Sequence, residues 1–151
     1  MPSKDAVRGG TYPDRMILAD TSAWVEYDRA TGSAVDRRLN DLIAEGGPLA
    51  VTEPVVMEVL AGARSDAREY DLRRLLLRFE LAAVDPTADF EAAVRIYRRC
   101  RRTGVTPRGL LDCLVAAVAW RRGATLLAQD ADLQRVAEVI GVAMDVSPGR
   151  T

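Results

Sequence analysis

The sequence contains no histidine, and that absence rules out more chemistry than any residue present suggests. Without imidazole there is no Ser-His-Asp or Cys-His nucleophilic triad, no histidine acid–base catalysis, and no His-ligated zinc or haem. Cysteine is scarce too. Cys100 and Cys113 form neither a CxxC pair nor any zinc-ligand spacing, so they read as small thiols of a reducing compartment. No apolar run approaches the roughly 20 residues that a membrane span needs, and the N-terminal stretch lacks the apolar core of a signal peptide. The expected location is the cytoplasm, away from the membrane. Any catalysis must use carboxylates, hydroxyls, arginine, tyrosine or a metal ion.

A chain of 151 residues fits one domain, which at this size removes roughly 70% of its unfolded surface from water. Its 48% apolar and 28% charged residues place it with ordinary globular proteins, so a single active site is the working assumption. Net charge is −1, but Lys4 is the one lysine among 21 basic residues. The arginines bunch at Arg95, Arg98, Arg99, Arg101, Arg102 and Arg108, then at Arg121 and Arg122. Such a cluster suits bidentate recognition of phosphates, and it equally suits a solvated helix face in a protein of arginine-rich composition.

Residues 1–15 are polar, with Gly9, Gly10 and Pro13 and no apolar period, and are expected to be a flexible leader or an upstream start. Residues 16–147 are expected to fold, with 148–151 as a tail. Met16 to Ala19 is a short apolar run ending at Asp20, as a buried parallel strand would, and Ser22 is expected to cap a helix through Trp24 to Tyr27. A second helix is expected from Ser33 to about Ala44, stopped by Gly46, Gly47 and Pro48. Leu49 to Val51 is the second strand, and Thr52, Glu53 and Pro54 open a helix that contains Glu58. Another helix spans about Ala67 to Arg78, and a third strand Leu81 to Val84. Asp85, Pro86 and Thr87 start a long helix with Phe90, Val94 and Tyr97 at helical spacing and Gly104 beyond its end. Thr106 and Pro107 signal a helix that is apolar nearly all round, hence central, with Asp112 in its first turns. Thr125 to Ala128 is a fourth strand, Leu133 to Ile140 a helix, and Val142 to Val146 the last strand. Strands alternating with helices throughout imply a parallel sheet covered on both faces.

Ligands of an open parallel sheet bind beyond the carboxyl ends of its strands, near the switch in strand order. Asp20 and Asp130 each follow a strand directly, while Asp112 and Glu58 lie in early turns of helices facing the same edge. A lone aspartate in such a place is as readily a turn or N-cap residue, and Asp130 and Asp132 could cap the helix at Leu133. Glu58 and Asp112 interrupt apolar helical stretches, where a charge is rare unless it is paired or ligates a metal. Four carboxylates converging without a lysine or histidine would repel one another, and a bound cation removes the conflict. Hard oxygen donors suit Mg²⁺ or Mn²⁺, and the chemistry that follows is metal-assisted phosphodiester hydrolysis.

Two other phosphate-handling folds place an aspartate after the first strand. Phosphatases of the haloacid dehalogenase type need a second aspartate where this chain has Ser22, and receiver domains need a lysine on a late strand, whereas Lys4 lies in the leader. Four segments instead resemble the PIN-domain nucleases, and within them the VapC toxins of bacterial toxin–antitoxin pairs. They are the run from Met16 to Trp24, the Glu-Pro-Val-Val-Met-Glu-Val-Leu-Ala-Gly of Glu53 to Gly62, the Leu-Asp-Cys-Leu-Val-Ala-Ala of Leu111 to Ala117, and the Ala-Gln-Asp-Ala-Asp-Leu of Ala128 to Leu133. Each is weak alone; four in order, on matching elements, are specific. Leu133 stands where the family usually has an aromatic, a conservative change in the core.

The resemblance implies a three-layer α/β/α PIN-like fold with a mainly parallel central sheet. It implies Mg²⁺, with Mn²⁺ able to substitute, bound by Asp20, Asp112 and Asp130 with Asp132 as an additional member, and a catalytic set of Asp20, Glu58, Asp112 and Asp130. Ser22 matches a small polar residue that contacts water or substrate, and Arg108 a basic position suited to an RNA phosphate. A homodimer, a VapB-like antitoxin, and sequence-specific cleavage of tRNA or ribosomal RNA, with tRNA favoured, are further implications. The alternatives are a PIN nuclease of RNA processing without an antitoxin, and a non-catalytic RNA-binding PIN domain.

Overall fold

A computed structural model describes residues 15–146; the expected leader, apart from Arg15, and the expected tail lie outside the described residues. Five strands, β1 (Ile17–Ala19), β2 (Leu49–Val51), β3 (Glu80–Leu81), β4 (Thr125–Leu127) and β5 (Met144–Val146), form one all-parallel sheet in the order β3-β2-β1-β4-β5. Seven helices are found among the described residues: α1 (Thr21–Arg29), α2 (Ala34–Glu45), α3 (Glu53–Ala61), α4 (Asp66–Leu76), α5 (Ala88–Arg102), α6 (Leu110–Arg122) and α7 (Ala131–Ile140). The architecture is the three-layer α/β/α sandwich. No described helix is long and apolar enough to cross a membrane.

The three central strands, β2, β1 and β4, are short and apolar because they are buried on both faces, where an alternating pattern would put polar groups into the core. Leu18, Ala19, Ala50, Leu126 and Leu127 form the middle of that core, and Trp24 is fully enclosed, edge-on to Tyr27 and tilted against Phe79. The chain builds outward from β1 through β2 to β3, then crosses back through α5 and α6 to place β4 on the other side of β1. The switch in strand order therefore lies between β1 and β4, the strands followed by Asp20 at the next residue and by Asp130 three residues on. Helix α6 is the central helix that its all-round apolar sequence requires, with every residue from Cys113 to Ala119 buried. Cys100 and Cys113 are both free, buried thiols, and burial pushes Cys113 up to about 12.

Several boundaries differ from expectation for identifiable reasons. The cap of α1 is Asp20 rather than Ser22: its carboxylate accepts the Ser22 N–H, so the helix begins at Thr21. Likewise Asp130 caps α7 by accepting from the Asp132 and Leu133 N–H groups, starting it at Ala131 instead of Leu133. The third strand lies at Glu80–Leu81 rather than Leu81 to Val84. The Ala82 N–H still bonds to Val51, where β2 ends, and the Val84 N–H turns to the Glu53 carboxylate 2.7 Å away. Helix α6 begins three residues after Pro107, at Leu110, with Gly109 as its cap. On α5 the buried stripe is Asp89, Ala93, Ile96 and Cys100, leaving Phe90 and Val94 more than half exposed.

Candidate active site

The switch point brings together four of the five acidic residues expected there. Asp20, Glu58, Asp112 and Asp130 line one open cavity of about 550 Å³, with Thr21, Ser22, Arg108 and the Gly109–Leu111 segment completing its wall. Each comes from a different part of the chain: Asp20 from the end of β1, Glu58 from the second turn of α3, Asp112 from the first turn of α6, and Asp130 from the β4–α7 junction. Asp132 is not in that wall. It lies in the first turn of α7 with its carboxylate on Arg135.

Ser22 locks the floor of the cavity. Its hydroxyl donates to Asp20 Oδ2 at 2.9 Å, its N–H donates to the same oxygen at 3.1 Å, and its oxygen accepts the Gln129 N–H at 2.9 Å. One side chain thus ties the carboxyl ends of β1 and β4 together and fixes the rotamer of Asp20. Thr21, which the sequence reading passed over, donates its hydroxyl to Glu58 Oε1 at 2.6 Å and couples α1 to α3 across the cavity. Its position between two residues already singled out was the available signal. Glu58 itself is exposed at the cavity rim; its place in an apolar helical stretch reflects the helix's inner face, not its own burial.

The electrostatics are those of crowded like charges. Asp20 is 4% exposed, and its pKa is raised, chiefly by burial and further by Asp130, although the Ser22 and Thr21 hydrogen bonds oppose the rise. Asp112 is pushed up to about 6, first by burial, then by the Asp20 and Asp130 carboxylates, with Glu58 adding to them and Arg108 partly opposing. Its Oδ2 is buried and has no hydrogen-bond partner. Arg108 stands over the cluster, its guanidinium on Asp130 Oδ2 and 3.8 Å from Asp112 Oδ2. These carboxylates, Asp130 first, raise the Arg108 pKa above its ordinary value.

A hard divalent cation fits this donor set. The donors are all carboxylate oxygens, one is buried without a partner, and their mutual repulsion is the kind a cation relieves. Among the described residues no three acidic or cysteine side chains already surround a single point closely enough to enclose an ion. Asp130 is engaged by Arg108 and Glu58 by Thr21, so a small ion would be held by one or two carboxylates directly and by the rest through water, the usual habit of Mg²⁺. Asp20, Asp112 and Asp130, all lining the cavity, would be the residues to hold it.

Comparison with known proteins identifies the family of the domain that carries this cavity. The PIN domain model matches residues 17–139, which takes in every residue of the cluster. The chain is 46% identical over 125 residues to Ribonuclease VapC11 of Mycobacterium tuberculosis, covering 82% of this chain and 93% of that protein. Among solved structures it superposes on a chain of the DNA-bound VapBC of Salmonella typhimurium with a TM-score of 0.66 and 21% identity, covering 87% of this chain and 97% of the other. It also superposes on Mycobacterium tuberculosis VapC20, described as a sarcin–ricin loop cleaving toxin, with a TM-score of 0.59 and 22% identity over 87% and 99% of the two chains. A family match spanning the fold, together with close identity over nearly the whole of a relative, establishes that this chain belongs to the PIN-domain family and, within it, to the VapC proteins.

Proposed function

We propose that this protein is the toxin of a type II toxin–antitoxin pair, a sequence-specific endoribonuclease that depends on Mg²⁺, with Mn²⁺ able to substitute. The observation that carries the reading is Asp112, a carboxylate with a buried, unpartnered oxygen among three other acids at the switch point of the sheet. Groups held at such a stability cost cluster at functional sites. When bound, the cation supplies a water of lowered pKa and neutralises charge developing on the phosphate.

The chain's own residues prepare that chemistry. Asp20 is held in one orientation by Ser22, Glu58 by Thr21, and Asp130 by the N-terminal amides of α7. Glu58 Oε2, on the exposed rim, is free to accept the proton of the attacking water while Oε1 stays on Thr21. Arg108 is 62% exposed and bridges the rim, so its guanidinium can move from Asp130 to an incoming phosphate. Leu110 and Leu111 form an apolar lip against which a ribose or base can pack.

The preferred substrate is tRNA cut near its anticodon stem-loop, with ribosomal RNA as the competing class exemplified by the sarcin–ricin description of one structural neighbour. A VapB-like antitoxin and a homodimer complete the reading; the antitoxin is supported by neighbours solved as VapBC complexes. Expression in cells followed by mapping of new RNA 5′ ends tests it. A single recurrent cut, absent with Asp20→Asn and suppressed by the co-expressed antitoxin, is the expected result. Unchanged RNA ends, or toxicity that survives Asp20→Asn, would overturn it.

A further inference from the structure

A second concave surface lies away from the acidic cavity and has no part in the account above. It is a groove of about 770 Å³ along α5, closed on one side by Trp120 at the end of α6 and by Ile140 at the end of α7. Its base is apolar, from Ala88, Ala92 and Ile96. Along its wall stand Arg95, Arg99 and Arg102, spaced four and three residues apart and hence on one helix face, spanning about 10 Å of axis. Arg95 is neutralised by Glu91 at 2.6 Å, but among the described residues neither Arg99 nor Arg102 is paired with an acidic side chain. Trp120 is 63% exposed, a large flat aromatic that α6 could have buried and does not.

The geometry points to a binding track for single-stranded RNA that leads toward the acidic cavity, with a base stacked on Trp120 and backbone phosphates on Arg99 and Arg102. Charge and shape both select this occupant. Unpaired guanidiniums match a polyanion, and an exposed indole beside them matches a base, since stacking on aromatics is tolerant of sequence. The groove also leads to the right place. Helices α5 and α6 run antiparallel, joined by residues 103–109, so Arg102 lies at the end of the molecule that carries Arg108 and Asp112, while Trp120 lies about 12 Å farther down α6. An RNA held there would continue toward the acidic cavity. The proposal rests on the ribonuclease reading but is tested separately from it.

The test is binding of a fluorescein-labelled, mixed-sequence 12-nucleotide single-stranded RNA to the full chain in EDTA, followed by anisotropy and by intrinsic fluorescence. Trp24 is buried and Trp120 exposed, so RNA should quench the solvent-exposed component of the emission. Trp120→Ala should weaken binding about tenfold, and Trp120→Phe should abolish the quenching while keeping most of the affinity. Replacing Arg99 and Arg102 together by alanine should reduce the slope of log affinity against log salt by about 1.4. Wild-type affinity and salt slope in these variants would overturn the track, as would RNA binding that leaves Trp120 unquenched or tighter binding of a poly-glutamate peptide. A free protein whose Trp120 is already shielded from acrylamide, in a dimer that Trp120→Ala dissociates, would assign the groove to a second copy and overturn the proposal. If the oligonucleotide binds as expected but wild-type protein with Mn²⁺ never cleaves RNA, the nuclease reading fails and the track stands.

Discussion

Asp89 and Asp112 are aspartates on neighbouring helices, both withdrawn from solvent, and they have opposite fates. Asp89, 1% exposed, accepts two hydrogen bonds of 2.8 Å from Arg121 and one of 2.8 Å from the Asp85 N–H. Burial pushes its pKa up, but the Arg121 guanidinium and the Asp85 amide outweigh that and hold it below the ordinary carboxylate range. Asp112 has only a guanidinium 3.8 Å away and an oxygen with no hydrogen-bond partner, and burial first, then three neighbouring carboxylates, push its pKa up to about 6. One carboxylate has its hydrogen bonds filled within the fold; the other keeps a buried oxygen without one. Burial alone would not tell them apart, and partner satisfaction does.

The largest effect that would sharpen the contrast is on activity. Asp112→Asn should lower the rate of RNA cleavage by about a hundredfold or more, as expected for removing a charge that holds a catalytic metal. The same substitution should raise the metal-free protein's stability at pH 7 by on the order of 1–3 kcal/mol, because the amide carries no ionisation cost. Urea unfolding and a cleavage time course check both signs. Asp89→Ala should behave oppositely, losing about 3 kcal/mol of stability by leaving Arg121 and the Asp85 amide without their acceptor, with cleavage per folded molecule unchanged.

Next in size is the pH dependence. The Asp112 pKa lies near 6 in the folded state against 3.8 for the ordinary group, so folding takes up a proton between those values. Below 3.8 the group is neutral in both states and costs nothing; its destabilisation develops as pH rises and is complete above about 6. Asp89 runs the other way, stabilising above its ordinary range and losing that contribution as pH falls through its lower folded value. Chemical denaturation from pH 4 to 8 should therefore show a fall between about pH 4 and 6 and a plateau above it, and Asp112→Asn should remove the fall. Added Mn²⁺ should restore stability at pH 7.5 and have little effect at pH 4.5. The smallest expected effect is that of Thr21→Val, about 1 kcal/mol in stability from the lost bond to Glu58, with a several-fold loss in kcat measured on the same RNA.

The contrast also shows what sequence could and could not convey. The parallel sheet was legible because Met16 to Ala19 and Leu126 to Ala128 are short apolar runs with an acid just beyond each, which marked Asp20 and Asp130, while Glu58 and Asp112 were marked by their places in the early turns of helices facing the same edge. Asp132 read as readily as Asp130, since both sit two residues apart at a helix start. Only the helix geometry sends Asp130 into the cavity and Asp132 to Arg135. The Asp89–Arg121 pair joins residues 32 apart, and no local pattern announces it. Thr21 and Glu58, 37 apart, are similarly invisible until α1 and α3 are packed. Phe90, Val94 and Tyr97 carried a helical period, but the inner face of α5 belongs to the stripe of Asp89, Ala93, Ile96 and Cys100.

The central claim is that Asp20, Asp112 and Asp130 form a metal-dependent RNA-cleaving centre. The most direct measurement incubates purified protein with total tRNA and ribosomal RNA, with Mg²⁺ or Mn²⁺ and again with EDTA, beside Asp112→Asn. Discrete fragments that require the cation and are lost in the variant are the predicted result. Intact RNA under every condition, or cleavage that persists equally in EDTA and in Asp112→Asn, would contradict it.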